Sequence, residues 1–196
     1  PARFNVFLRD RTNATTTLIS ANLSGVSGGS EDSFPSDLST NGQIVLFESN
    51  ASDLVANDTN NFSDIFVHDL SVGSNVLVSV STNGGNANGA SREAVMTPNG
   101  RYVAFVSEAS NLVDGDLNGI TDIFVRDLQT GVTILASPDA MASSSSSCSQ
   151  EPEISVDGRY VVFYSTATNL VPNAGATNDI YMRDVTGGTT LLASVN

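Results

Sequence analysis

Asp122-Ile123-Phe124-Val125-Arg126-Asp127 is one of four related hexapeptides in this chain of 196 residues. It echoes Asp64-Ile65-Phe66-Val67-His68-Asp69 before it and Asp179-Ile180-Tyr181-Met182-Arg183-Asp184 after it, at an almost constant step. A degenerate copy, Asn5-Val6-Phe7-Leu8-Arg9-Asp10, precedes the first at a nearly equal step. Self-similarity at a fixed long period means that one supersecondary unit is reused. β-branched and aromatic residues fill successive positions of each hexapeptide, so both faces are apolar. That suits a strand covered on two sides.

Other marks keep the same register. Asn41-Gly42, Asn99-Gly100 and Asp157-Gly158 precede the apolar runs Ile44-Val45-Leu46-Phe47, Tyr102-Val103-Ala104-Phe105 and Tyr160-Val161-Val162-Phe163. These dipeptides tolerate positive φ and predict a tight hairpin before a second strand. Gly73, Gly131 and Gly187-Gly188 close a second hairpin, after which a Thr/Val/Leu run such as Thr133-Ile134-Leu135 predicts a fourth strand. Ser33, Ser91 and Ser149 open the units. The small polar stretches between units, including the serines at 143–147, read as loops.

Four short antiparallel strands in every repeat predict an all-β chain of β-propeller blades. A lone four-stranded sheet cannot hide two apolar faces, whereas stacked neighbours can. We assign blade 1 to residues 32–81, blade 2 to 90–138 and blade 3 to 148–196, with a half blade of two strands at 1–23. About three and a half blades are fewer than a closed ring of four to eight requires. The reading is an open arc, or part of a larger or multi-chain propeller. The stretches Thr97-Pro98-Asn99-Gly100-Arg101-Tyr102-Val103-Ala104-Phe105 and Ser155-Val156-Asp157-Gly158-Arg159-Tyr160-Val161-Val162-Phe163 resemble the PD40, or WD40-like, repeat of TolB-like β-propellers. The resemblance covers the chain and implies the fold. Such propellers serve as scaffolds, surface modules and enzyme appendages alike, so it does not imply one activity.

Twenty-one acidic residues face eight basic ones, all arginine, for a formal charge of −13. That balance argues against nucleic acid, which needs a basic footprint, and against an anionic membrane surface. No apolar run is long enough to span a membrane. The lone cysteine, Cys148, excludes an internal disulfide and a cysteine-rich zinc site. The chain begins at Pro1 rather than Met, from which we expect an upstream segment.

The strongest site signal is Asp114-Gly115-Asp116-Leu117-Asn118-Gly119-Ile120-Thr121-Asp122, of the form D-x-D-x-N-G-x-x-D. Oxygen ligands at alternate positions about a glycine turn can converge on one hard cation. The loop resembles the calcium-binding hairpin loops of integrin-type propellers. That resemblance implies side-chain ligands from Asp114, Asp116, Asn118 and Asp122 and the carbonyl of Ile120. Asp58, Asn60 and Asp64 form a weaker second copy, with Ala56 in place of the first aspartate and Asn61 in place of the glycine. In blade 3, Pro172-Asn173-Ala174-Gly175 replaces the motif. The competing reading is that these Asp and Asn side chains cap turns.

Asp69, Asp127 and Asp184 recur beside a hairpin in every unit and read as turn caps. His68 occupies the place of Arg126 and Arg183, which makes it a repeat variant rather than a catalytic base. There is no H-E-x-x-H, G-x-S-x-G or phosphate-binding glycine loop. Asp37, Glu93, Glu151 and Glu153 fall on first strands, which line a propeller's channel; they form an acidic axial site or a solvated wall. We therefore expect a non-enzymatic binding or structural module of a secreted or cell-surface protein, with the periplasm as an alternative location. It would contact protein, glycan, other copies of itself or the rest of a larger propeller, with calcium as a stabilising cofactor. The alternative is the propeller appendage of a peptidase-like enzyme whose catalytic domain lies outside this chain.

Overall fold

The structure, a computed structural model, describes residues 2–138, 148–172 and 178–194. The serine run 143–147 and residues 173–175 of the blade 3 loop lie outside the described residues. Fourteen strands and no helix occur among those described, so no helix is long and apolar enough to cross a membrane.

A two-stranded sheet, β1 (Phe7–Asp10) and β2 (Thr15–Leu18), comes first. Three four-stranded antiparallel sheets follow. Blade 1 is β3 (Ser33–Leu38), β4 (Ile44–Ser49), β5 (Asp64–Asp69) and β6 (Ser74–Leu77). Blade 2 is β7 (Ser91–Met96), β8 (Tyr102–Ser107), β9 (Asp122–Asp127) and β10 (Val132–Leu135). Blade 3 is β11 (Ser149–Ile154), β12 (Tyr160–Ser165), β13 (Asp179–Asp184) and β14 (Thr189–Leu192). Strand order follows chain order within each sheet, and the sheets do not close into a ring.

The chemistry of the repeat explains these hairpins. In the turn between first and second strands, Asn41, Asn99 and Asp157 each accept the backbone N–H two residues on, at 3.0, 3.0 and 3.1 Å. Each also accepts a hydroxyl from Ser39, Thr97 or Ser155. The following glycines have φ of 71°, 76° and 75°. At two of them a neighbouring blade adds a second demand. A Cβ at Gly158 would run into the Tyr102 ring, and one at Gly100 would lie 2.9 Å from Ile44. The glycine turn of one blade is thus the seat for the first residue of the preceding blade's second strand.

Apolar clusters fill the gaps between consecutive sheets. Phe47 and Phe66 pack with Val6 and Ile19 of the two-stranded sheet. Phe105 and Phe124 pack against Leu46, Ile65 and Val67 of blade 1, and Phe163 and Tyr181 against Ala104, Val106, Ile123 and Val125 of blade 2. Each aromatic pair stacks across its own sheet at 5.5, 5.9 and 6.0 Å. Burying one such side chain contributes about 1.5–3 kcal/mol. The serines that open the units pair in the core with the last residue of the second strand: Ser33 with Ser49, Ser91 with Ser107, and Ser149 with Ser165.

Contacts between blades run chiefly through the first strands: β7 packs on β3, β4 and β5, and β11 on β7, β8 and β9. Each first strand carries a bulge, at Pro35/Asp37, Arg92/Val95 and Gln150/Glu153. Glu93 and Glu151 sit in these bulges with φ of 53° and 51°.

Candidate functional site

The loops between second and third strands of blades 1 and 2 have matching backbones. Asn57 and Asn61 have φ of 64° and 58°, where blade 2 places Gly115 and Gly119 at 86° and 67°. Asparagine is the residue after glycine that best tolerates this left-handed region. The substitution that ranks loop 58–64 below loop 116–122 in the sequence therefore leaves its path unchanged.

Both loops bury two aspartates. Asp64 and Asp122 are fully buried at the start of their third strands. Asp64 accepts the Ser79 hydroxyl at 2.6 Å and the Asn60 amide at 2.7 Å. Asp122 accepts the Ser137 hydroxyl at 2.5 Å and the Asn118 amide at 2.7 Å. Burial is the main reason that each of these carboxyls is pushed up to about 6; the hydrogen bonds oppose it, and the charge of Asp58 or Asp116 adds to it. Asp58 and Asp116 are 6% and 4% exposed, and burial raises them as well. The Oδ1 atom of each is enclosed and has no hydrogen-bond partner.

The remaining predicted ligands are placed differently. Asp114 is exposed at the loop rim. Asn118 Oδ1 accepts the Ile120 N–H at 3.0 Å, and Asn60 Oδ1 accepts that of Phe62 at 3.0 Å. The asparagines therefore make the Asx turn of the competing reading while their amides hold the buried aspartate. Ile120 is half-buried. Among the described residues no three His, Cys, Asp or Glu side chains gather into a metal-holding group. In blade 3, Asp179 is half-buried and accepts the Ser194 hydroxyl at 2.8 Å.

The recurrent aspartates beside the second hairpin accept turn N–H groups: Asp69 from Ser71, Asp127 from Gln129, Asp184 from Thr186 and Gly187. Two also hold an arginine that none of the sequence motifs includes as a functional residue. Arg101 reaches Asp127 at 2.8 Å, Arg159 reaches Asp184 at 2.7 Å, and each guanidinium lies over the tyrosine that follows it. The Arg101 hydrogen bonds hold the Asp127 carboxyl far below the usual carboxylate range, and those of Arg159 bring Asp184 to about 2. The signal was present as an Arg directly behind Asn99-Gly100 and Asp157-Gly158, with Gln43 in that place in blade 1.

His68 behaves as the repeat predicts. Asn75 donates its amide to the Ala21 carbonyl, which leaves its side-chain oxygen to accept from His68 Nδ1 at 2.8 Å. The equivalent pairs are Arg126 with Thr133 and Arg183 with Thr190.

On the first strands, Asp37 Oδ2 accepts the Met96 N–H and Glu93 Oε2 accepts the Glu151 N–H, each across to the next blade. The sequence offers an acidic axial site or a solvated wall for these carboxylates, and neither reading includes this clasp between neighbouring blades. Glu93, Glu151 and Glu153 line a cleft of about 490 Å³ together with Val162 and Tyr164.

No family model matches the chain, and no curated protein matches it. Solved structures do. A putative TolB from Agrobacterium tumefaciens is 18% identical, with a TM-score of 0.55 over 96% of this chain and 55% of that one. A prolyl endopeptidase is 15% identical, with a TM-score of 0.55 over 96% of this chain and 25% of that one. The tricorn protease is 15% identical, with a TM-score of 0.53 over 90% of this chain and 15% of that one. This chain thus spans little more than half of the TolB structure and a quarter or less of the two peptidases. Three four-stranded blades and a two-stranded sheet, stacked through their first strands and left unclosed, give this chain the fold of a TolB-like β-propeller.

Proposed function

We propose that the chain is a non-enzymatic structural and binding module, which joins a protein partner at the outer face of blade 3 and along its acidic first strands. One observation carries this reading. Leu46, Ile65 and Val67 of blade 1, and Ala104, Val106, Ile123 and Val125 of blade 2, are buried by the following blade. Their counterparts Val162, Tyr164, Ile180 and Met182 in blade 3 are half-buried or exposed. An apolar face of this kind on a partial propeller calls for another domain or chain to cover it. Other copies of this chain and the remainder of a larger propeller both fit, and the glutamates of the adjoining cleft favour a partner with basic residues at its rim. Glycan contact at the loops and a secreted, cell-surface or periplasmic setting are part of the same reading.

Sedimentation in dilute solution, with and without Tyr164→Arg, tests it. Association that the substitution abolishes is the expected result. A wild-type monomer that binds no hydrophobic dye would overturn it. The second reading, a propeller appendage of a peptidase-like enzyme, is favoured by the tricorn and prolyl endopeptidase structures, which share these blades and extend far beyond them. Peptide hydrolysis by the chain joined to its native flanking sequence, and none by the chain alone, would establish that alternative.

A further inference from the structure

We infer that loops 58–64 and 116–122 each bind one calcium ion, centred on the unpartnered carboxylate oxygens of Asp58 and Asp116. These two oxygens are enclosed by protein and receive no hydrogen bond. A buried, uncompensated carboxylate oxygen is costly and needs an explanation. The cost is compounded here because each lies close enough to a second buried aspartate, Asp64 or Asp122, to be repelled by it. Both oxygens of that second aspartate are already supplied with donors. Two buried negative charges therefore lie within electrostatic reach of one another, with one acceptor left open. A divalent cation at that acceptor turns the mutual repulsion into shared attraction.

The same orphan occurs twice, at equivalent positions of two blades, on two loops of the same backbone conformation. Hard oxygen ligands of mixed type suit calcium, which takes six to eight of them in a flexible shell, better than magnesium, which demands a near-ideal octahedron. Within each loop the roles divide. Asp58 or Asp116 is the anchoring ligand and Asp64 or Asp122 contributes the second negative charge. Asn60 or Asn118 positions that second carboxylate, since its own side-chain oxygen is committed to a turn N–H. Main-chain carbonyls and water complete the shell. Asp114, exposed at the rim of the second loop, adds a charge that Ala56 cannot supply in the first, so loop 116–122 binds more tightly. The sites do not depend on what covers blade 3.

Calorimetric titration of the chelator-treated full chain with calcium chloride, paired with thermal unfolding in calcium or in chelator, tests the inference. The expected stoichiometry is close to two ions per chain, one in Asp58→Asn or Asp116→Asn, and none in the double variant. Calcium raises the melting temperature of the wild type and leaves that of the double variant unmoved. In chelator both asparagine variants, matched in shape and relieved of repulsion, melt no lower than the wild type, which separates lost binding from lost folding. Magnesium at the same concentration gives at least tenfold weaker binding. No heat and no melting shift at millimolar calcium would overturn the inference, as would a stoichiometry that the double variant leaves unchanged. It is also overturned if the variants lose the same stability with and without calcium, the signature of turn capping alone.

Discussion

Blades 2 and 3 are written in nearly the same pattern, yet they live in different surroundings. Val106 and Ile123 are fully buried; their counterparts Tyr164 and Ile180 are not. The faces that look back toward the preceding blade do not differ in this way, since Phe105, Phe124, Phe163 and Tyr181 are all buried. A blade therefore acquires its core one side at a time, each side from a neighbour. Stability in such a stack is a sum of intrinsic and nearest-neighbour terms, and within this chain blade 3 packs on one neighbouring blade where blade 2 packs on two.

The largest test of this contrast is a pair of truncations. Ile123→Ala removes a fully enclosed side chain between two blades and is expected to cost about 2–5 kcal/mol in denaturant unfolding. Ile180→Ala, on the open face, is expected to cost about 1 kcal/mol or less. Equal losses would mean that blade 3 is covered in solution.

Next come the glycine turns. Gly158→Ala meets both a left-handed backbone and the Tyr102 ring, whereas Gly188→Ala, at φ 68°, meets nothing within 4 Å. The first is expected to cost about 2–4 kcal/mol from strain and overpacking together, the second about 1 kcal/mol from strain alone. Similar melting temperatures for the two would show that the seat between blades is loose.

The smallest effect concerns acid. Asp127 and Asp184 are held below their ordinary value by Arg101 and Arg159, so the stability they add is complete above about pH 4. It is lost as pH falls through their folded values, about 2 for Asp184. The double variant Arg101→Gln, Arg159→Gln, which copies Gln43 of blade 1, is expected to lose little at neutral pH, because solvent screens both pairs. Its melting temperature should then fall less steeply than that of the wild type between pH 4 and 2. Parallel curves would remove these pairs from the acid response.

Strand positions, hairpins and the stacking of sheets were legible in the chain because they follow from local chemistry: a period of two, left-handed turn residues, and runs too apolar for one covered face. The repeat also identified Asp69, Asp127 and Asp184 as turn caps and His68 as a substitute for arginine. The candidate cation loops were legible only in outline. The sequence counts Asp114 and Asn118 as equals of Asp116, but the fold puts Asp114 at the surface and commits the Asn118 oxygen to a turn. It also gives Asn61 the backbone of Gly119. Local pattern decides how a strand or turn forms, since each depends on residues a few positions apart. Tertiary packing decides which carboxylate is enclosed without a donor and which blade face stays open, because both depend on atoms that another repeat brings close or fails to supply.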